Sequence, residues 1–192
     1  MSAAVIKRPI VELPGGAKVD LFEVRAELAR RQLSRFVRES WHILEPQTPL
    51  VWNWHIEAMC DHIQALVQGH IPKRNLVINV PPGSAKSRVV SVCAPAWIWT
   101  WNPSWRGIFA SANPRVSLRD SMFCRDLIES DWYQEAFRPV WSLALDQNAK
   151  GHYRNTDGGS RLSVSVGMKI TGDRGDGLFI DDPLDAAEAN SE

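Results

Sequence analysis

The stretch Asn75-Leu-Val-Ile-Asn-Val-Pro-Pro-Gly-Ser-Ala-Lys-Ser87 decides how the chain is read. Asn75 to Val80 is short and rich in branched residues, which favours a buried strand over a helix. Pro81, Pro82 and Gly83 end it, and a helical stretch is expected from Lys86 to about Trp101. A strand that turns through such a loop into a helix is suited to a triphosphate. That ligand needs inward backbone N–H groups, a helix N-terminus, a lysine spanning the terminal phosphates and a hydroxyl for Mg²⁺. Lys86 and Ser87 stand where the last two tasks fall, and Gly83 can take the positive φ that turns neighbouring amides inward. The common pattern G-x-x-x-x-G-K-[ST] asks for glycine at positions 80 and 85, where this chain has Val80 and Ala85. Ala85 is expected to keep a helical φ, which makes the departure tolerable as long as the loop is not left-handed there.

Downstream come a strand-like run at 107–112, a helix from about 114 to 130, and a polar, glycine-containing region. An alternating strand at 161–166 and an apolar run at 177–180 follow, the last leading into Asp181-Asp182-Pro183. Alternating β and α elements predict an α/β sheet, mainly parallel. A hydrophobic strand ending in adjacent carboxylates fits Mg²⁺-dependent hydrolysis, one acid holding the metal and the next polarising water. The separation of 181 − 86 = 95 residues leaves room for the strand to return beside the first one. Taken alone, each half has a plain alternative: a strand-to-helix turn, or an Asp-Asp-Pro turn.

Upstream, residues 1–19 read as an extended arm with a turn at Pro14, Gly15 and Gly16. Asp20 is an N-cap for an amphipathic helix expected to run to about Leu44, with Arg25, Arg30, Arg31, Arg35 and Arg38 on its other face. That face is either a solvated surface or a DNA or partner contact. A packing helix is expected at 52–68; His55 and His62 share its face without a third metal ligand nearby. Trp97, Trp99, Trp101 and Trp105 are assigned to packing, because a stacking platform for single strands needs interleaved Lys or Arg.

The 192 residues allow one domain, with 44% hydrophobic and 23% charged residues, so the chain can bury a core. Its charge, 22 − 22 = 0, excludes a global basic field but not a local nucleic-acid contact. Cys60, Cys93 and Cys124 lie far apart without CxxC spacing, which argues against a disulfide scaffold or zinc site and fits a reducing cytoplasm. Neither a leader-type apolar core nor a membrane-length apolar run is seen.

Residues 41–192 resemble the N-terminal ATPase half of the large terminase subunits of tailed phages, the motors that package viral DNA. The resemblance rests on Trp54-His55 ahead of a helix, Asn79 to Ser87, Ala94-Pro-Ala-Trp97, and Ala110-Ser-Ala112 followed by an arginine-bearing helix. Thr171-Gly172 and Phe179-Ile-Asp-Asp-Pro183 complete it, all in family order. The family is known for deviant loops of the Pro-Pro-x-x-x-Lys-Ser type. It implies a P-loop NTPase fold of the additional-strand class, a mainly parallel sheet flanked by helices with an N-terminal helical extension. The division is then 1–19 arm, 20–70 helical region and 71–192 ATPase core. In this class a later strand lies between those carrying Lys86 and Asp181, so an incomplete sheet is expected here, with no nuclease domain, as in a truncated product.

The implied cofactors are ATP and Mg²⁺. Pro82, Gly83, Ser84 and Ala85 would shape the loop, Lys86 and Ser87 would bind the β/γ-phosphates, and Ser87 and Asp181 would hold the metal. Asp182 would be the catalytic carboxylate, one methylene shorter than the glutamate common at that place. Arg119 or Arg125, with Arg115 as a further choice, would complete a neighbour's site. The implied partners are double-stranded DNA through the full-length motor, further copies in a homo-oligomeric ring, a small terminase subunit and a portal protein. The setting would be the host bacterial cytoplasm, with no membrane. The resulting expectation is an ATP-binding and ATP-hydrolysing packaging-motor domain. Its alternatives are an inactive remnant or assembly module that binds nucleotide without turnover, and a helicase-like P-loop ATPase.

Overall fold

Gly15 and Gly16, at φ 103° and 81°, close a hairpin of β1 (Ile10–Glu12) and β2 (Lys18–Asp20) where the sequence reads an arm with a turn. The computed structural model describes residues 8–168 and 172–182, so Thr171 and Pro183 of the motifs above lie outside the described residues. Asp20 caps α1 (Leu21–Arg31) as expected, its Oδ1 accepting from the Phe22 amide at 2.8 Å.

The single helix expected from Asp20 to Leu44 is instead two. Gln32 is extended (φ −132°, ψ 121°) and separates α1 from α2 (Leu33–Leu44). The break is held from α3 (Trp54–Val67): the Leu33 amide donates to Gln64 Oε1 at 2.9 Å, and Gln64 Nε2 donates to the Arg31 carbonyl at 2.9 Å. One side-chain amide thus supplies two backbone groups that a helix break would leave without partners. Pairing also absorbs much of the basic face. Arg30 donates to the Phe137 carbonyl, Arg31 to Glu27 and Arg38 to Glu57, with the Arg38 guanidinium 3.6 Å from the Trp52 ring centre.

Lys86 and Ser87 open the next helical run, which is π-helical over Arg88–Cys93 and continues as α4 (Ala94–Ile98). Trp97, Trp99 and Trp105 are buried as expected, while Trp101 is 38% exposed. Then follow β3 (Arg106–Ser111), α5 (Pro114–Glu129), α6 (Asp131–Phe137), β4 (Leu143–Ala149), β5 (His152–Asn155), β6 (Ser160–Ser165) and β7 (Gly177–Asp181). Phe36 of α2 meets Trp132, Tyr133 and Phe137 at ring-centre distances of 5.6, 6.3 and 5.7 Å. Such ring pairs add about 0.5–1.5 kcal/mol each beyond their burial. They tie the N-terminal helices into the same core as the sheet helices.

The main sheet has the order β4-β5-β6-β3-β7. β6, β3 and β7 are parallel neighbours, whereas β4-β5 and β5-β6 pair antiparallel, so the sheet is mixed rather than mainly parallel. The antiparallel part falls in the polar region from which no strand is predicted. Buried Asn155 organises it, donating to the Pro103 carbonyl and accepting from the Asp157 and Gly159 amides. The helical run and α5 pack on the sheet face bearing Phe109, Arg161 and Ser163.

Asn75 to Val80 is not a strand. Leu76, Ile78 and Val80 pack on the core while Val77 is 91% exposed, the alternation a strand would show, yet the segment joins no ladder among the described residues. Its burial pattern is local, but a ladder needs a neighbour, and among the described residues β7, the parallel edge, pairs with β3 alone. A cleft of about 1290 Å³ lies between the segment and β7, with Leu178 and Ile180 more than half exposed.

Candidate functional site

Parallel β3 and β7 end together, Ser111 opposite Asp181, and the carboxyl edge of such strands is where open α/β sheets gather polar ligand-binding groups. The 82–87 turn arrives at that edge. Gly83 has φ 81°, as the loop requires. Ala85 has φ 61°, which overturns the expectation of a helical φ: the loop is left-handed at the position where the common pattern has glycine. A Cβ there meets the following carbonyl, and the cost is about 1–2 kcal/mol. The Ser84 hydroxyl is buried and makes no hydrogen bond among the described residues.

The turn brings Lys86 and Ser87 onto the two carboxylates. Lys86 Nζ lies 2.8 Å from Asp181 Oδ1 and 2.8 Å from Asp182 Oδ1, and Ser87 Oγ donates to Asp181 Oδ2 at 2.6 Å. Burial works against the Lys86 charge, but the hydrogen bonds and charges of Asp181 and then Asp182 outweigh it, and the lysine pKa is raised. Asp181 is largely shielded, its side chain 12% exposed, whereas that of Asp182 is 77% exposed. Asp182 also sits at φ 45°, a backbone region costly for a non-glycine residue, and its carbonyl accepts from the Ala112 amide. Pro82 lies on the same turn and is exposed.

Ser87 Oγ and the Asp181 carboxylate form a set of hard oxygen donors, which fits Mg²⁺ and leaves most of its coordination to water and phosphate. The constellation is built without Arg119 or Arg125. Both Nε and Nη2 of Arg119 reach Asp120 Oδ1 at 2.9 Å, and Arg125 Nε lies 3.8 Å from Glu129 Oε2 along α5. Arg115 is exposed at the start of α5.

Beneath the turn lies a charged layer that sequence reading did not single out. Arg88 Nε and Nη2 reach Glu45 Oε1 at 2.8 and 2.7 Å, and Arg88 Nη1 is 3.8 Å from Asp120 Oδ1. Asp120 is 2% and Arg161 1% exposed. Burial raises the Asp120 pKa, against the opposing influence of Arg119, Arg88 and Arg161. The sequence carried no signal for it: in the alternation of 161–166 Arg161 shares the polar phase with Ser163 and Ser165, which reads as the solvated face of a strand. The three cysteines are free and buried, and burial raises the thiol pKa of each.

No protein-family model, no curated protein and no solved structure matches the chain. Among the described residues, no helix is long and apolar enough to cross a membrane.

Proposed function

We propose that the chain is an ATP-binding and ATP-hydrolysing motor domain of the viral DNA-packaging terminase type, built on a P-loop NTPase fold of the additional-strand class. The observation that carries this reading is the meeting of Lys86 and Ser87 with Asp181 and Asp182 at 2.6–2.8 Å across 95 residues of sequence. A glycine-containing turn, a lysine, a hydroxyl and two carboxylates at a strand end are what a magnesium triphosphate needs. The Asn75–Val80 segment, which joins no ladder among the described residues, lies across a cleft from the edge strand β7, in agreement with an incomplete sheet of that class. The terminase assignment itself is supported by the motif order in the sequence.

On this reading Ser87 and Asp181 hold Mg²⁺, which when bound would neutralise charge on the phosphate oxygens. Lys86 leaves its carboxylates and takes the β/γ-phosphates. The 82–85 turn directs its amides at the same anion. Asp182, exposed and next to Asp181, orients the water that attacks the γ-phosphate in line. Arg119 or Arg125 serves a neighbouring copy in a ring acting on double-stranded DNA, together with a small subunit and a portal, in the host cytoplasm.

A second reading, nucleotide binding without turnover, is favoured by one feature: the Asp182 carboxylate is already engaged by Lys86 and is one methylene shorter than glutamate. One experiment separates the two. Calorimetry with Mg²⁺-ATP, and phosphate release on the same sample, are compared for the 192-residue chain and Lys86→Ala. Binding that the variant loses, accompanied by turnover, is the expected result. Binding without turnover selects the second reading, and no binding by the folded wild type refutes both.

A further inference from the structure

The phosphate-binding turn is continuous with an unusual helix. The Val89 amide still bonds to the Ala85 carbonyl in the α pattern, but the Ala94 amide reaches back five residues to the Val89 carbonyl. Residues 88–93 therefore hold one residue more per turn than an α-helix would. Such π segments are rare and are found mostly at functional sites. Returning this one to α register would turn everything before it by about 100° and shift it by about 1.5 Å. Lys86 and Ser87, only a few residues away, would swing off Asp181.

The side chain that engages the π segment comes from β6. Arg161 is 1% exposed, lies 4.2 Å over the Phe109 ring, and donates from Nη1 to Ser163 Oγ at 2.7 Å and from Nη2 to the Ser91 carbonyl at 3.0 Å. Ser91 is within the π segment. Burying a guanidinium between a sheet and a helix is costly unless its hydrogen bonds and countercharge are supplied. Asp120 lines the same small void as Arg161, and among the described residues the Arg161 Nε makes no hydrogen bond. The void, of about 10 Å³, also touches Ser91 and Asp181, so the charged layer adjoins the metal-side carboxylate directly.

We propose that Arg161 is a positioning residue for the phosphate-binding turn. Pro95 has no amide to take the Ser91 carbonyl in α register; Arg161 takes that carbonyl instead and so holds residues 88–93 in π register, and that register sets where Lys86 and Ser87 stand against Asp181. The consequence for nucleotide rests on the function proposed above; the hold on the helix rests on geometry alone.

The test uses the full chain as wild type, Arg161→Met, Arg161→Lys and Lys86→Ala. Amide hydrogen exchange is followed in peptides spanning 86–95 and in α1–α3, and a fluorescent ATP analogue with Mg²⁺ is titrated in parallel. Arg161→Met is expected to speed exchange at 92–94 and to weaken analogue binding, each by about ten-fold, the equivalent of one charge-assisted hydrogen bond. Exchange in α1–α3 should stay unchanged, and Arg161→Lys, which can still donate to the Ser91 carbonyl, should recover most of both. Wild-type exchange at 92–94 in Arg161→Met overturns the proposal. So does a rise spread evenly over the chain, which is the mark of a merely structural arginine, or a loss that lysine does not rescue.

Should Arg161→Met not fold, Ser163→Ala removes one acceptor and leaves the charge in place. A rise confined to 86–95 then supports the proposal, and no change overturns it. If neither wild type nor Lys86→Ala binds the analogue, the nucleotide reading fails while the exchange results still decide the role of Arg161.

Discussion

Replacing Ala85 with glycine should stabilise the protein, although glycine at the start of a helical run ordinarily does the reverse. Ala85 has φ 61°, and a left-handed conformation costs a residue with a Cβ about 1–2 kcal/mol. Glycine removes that strain but adds about 0.4–1 kcal/mol of chain entropy to the unfolded state. The mid-range difference, about 1.5 − 0.7, is a net gain of about 0.8 kcal/mol. In a chain of this length that corresponds to a rise in Tm of roughly 1–4 °C. The assay is urea and thermal unfolding followed by circular dichroism, beside Ala58→Gly in the middle of α3. That control should cost about 1 kcal/mol, because its backbone is helical. If Ala85→Gly destabilises as much as Ala58→Gly does, the turn is not left-handed at position 85 and the reasoning fails.

Gln64→Ala should cost about 1–2 kcal/mol in urea unfolding, because the Leu33 amide and Arg31 carbonyl both lose their partner; a change under about 0.5 kcal/mol would be no more than a surface effect. Asp176 is held below the ordinary carboxylate range by its hydrogen bonds from Arg106, so its contribution to stability is present above its unfolded pKa of 3.8 and is lost as pH falls through the lower folded value. The stability gap between wild type and Asp176→Asn, measured from pH 7 to pH 2, should therefore close only below 3.8, and a constant gap would refute the pairing. Arg25 and Arg35 are the arginines of the α1–α2 basic face that stay exposed without a partner among the described residues. DNA binding through them should show a log–log salt slope no steeper than about −2, flattened in Arg25→Gln/Arg35→Gln. An unchanged slope in that double variant would place the contact elsewhere.

The sequence by itself determined what depends on near neighbours along the chain. The Asp20 cap, α3, α5, β3, β6 and β7 follow from periodicity and capping that a few consecutive residues carry. Lys86, Ser87, Asp181 and Asp182 were legible as two half-sites, because each half is a local arrangement of turn, strand end and charge. The structure decided whatever needed a partner far along the chain. The break at Gln32 depends on Gln64, and the β4-β5 hairpin on Asn155 reaching Pro103. Asn75–Val80 has the pattern of a strand, but pairing is a property of two segments, and among the described residues no second one is beside it. The handedness at Ala85 was misread for a related reason: composition allows either sign of φ, and the choice belongs to the contacts that draw Lys86 and Ser87 onto Asp181. The Arg161 and Asp120 layer was hidden altogether, because a charged residue looks solvated until the fold removes water from around it.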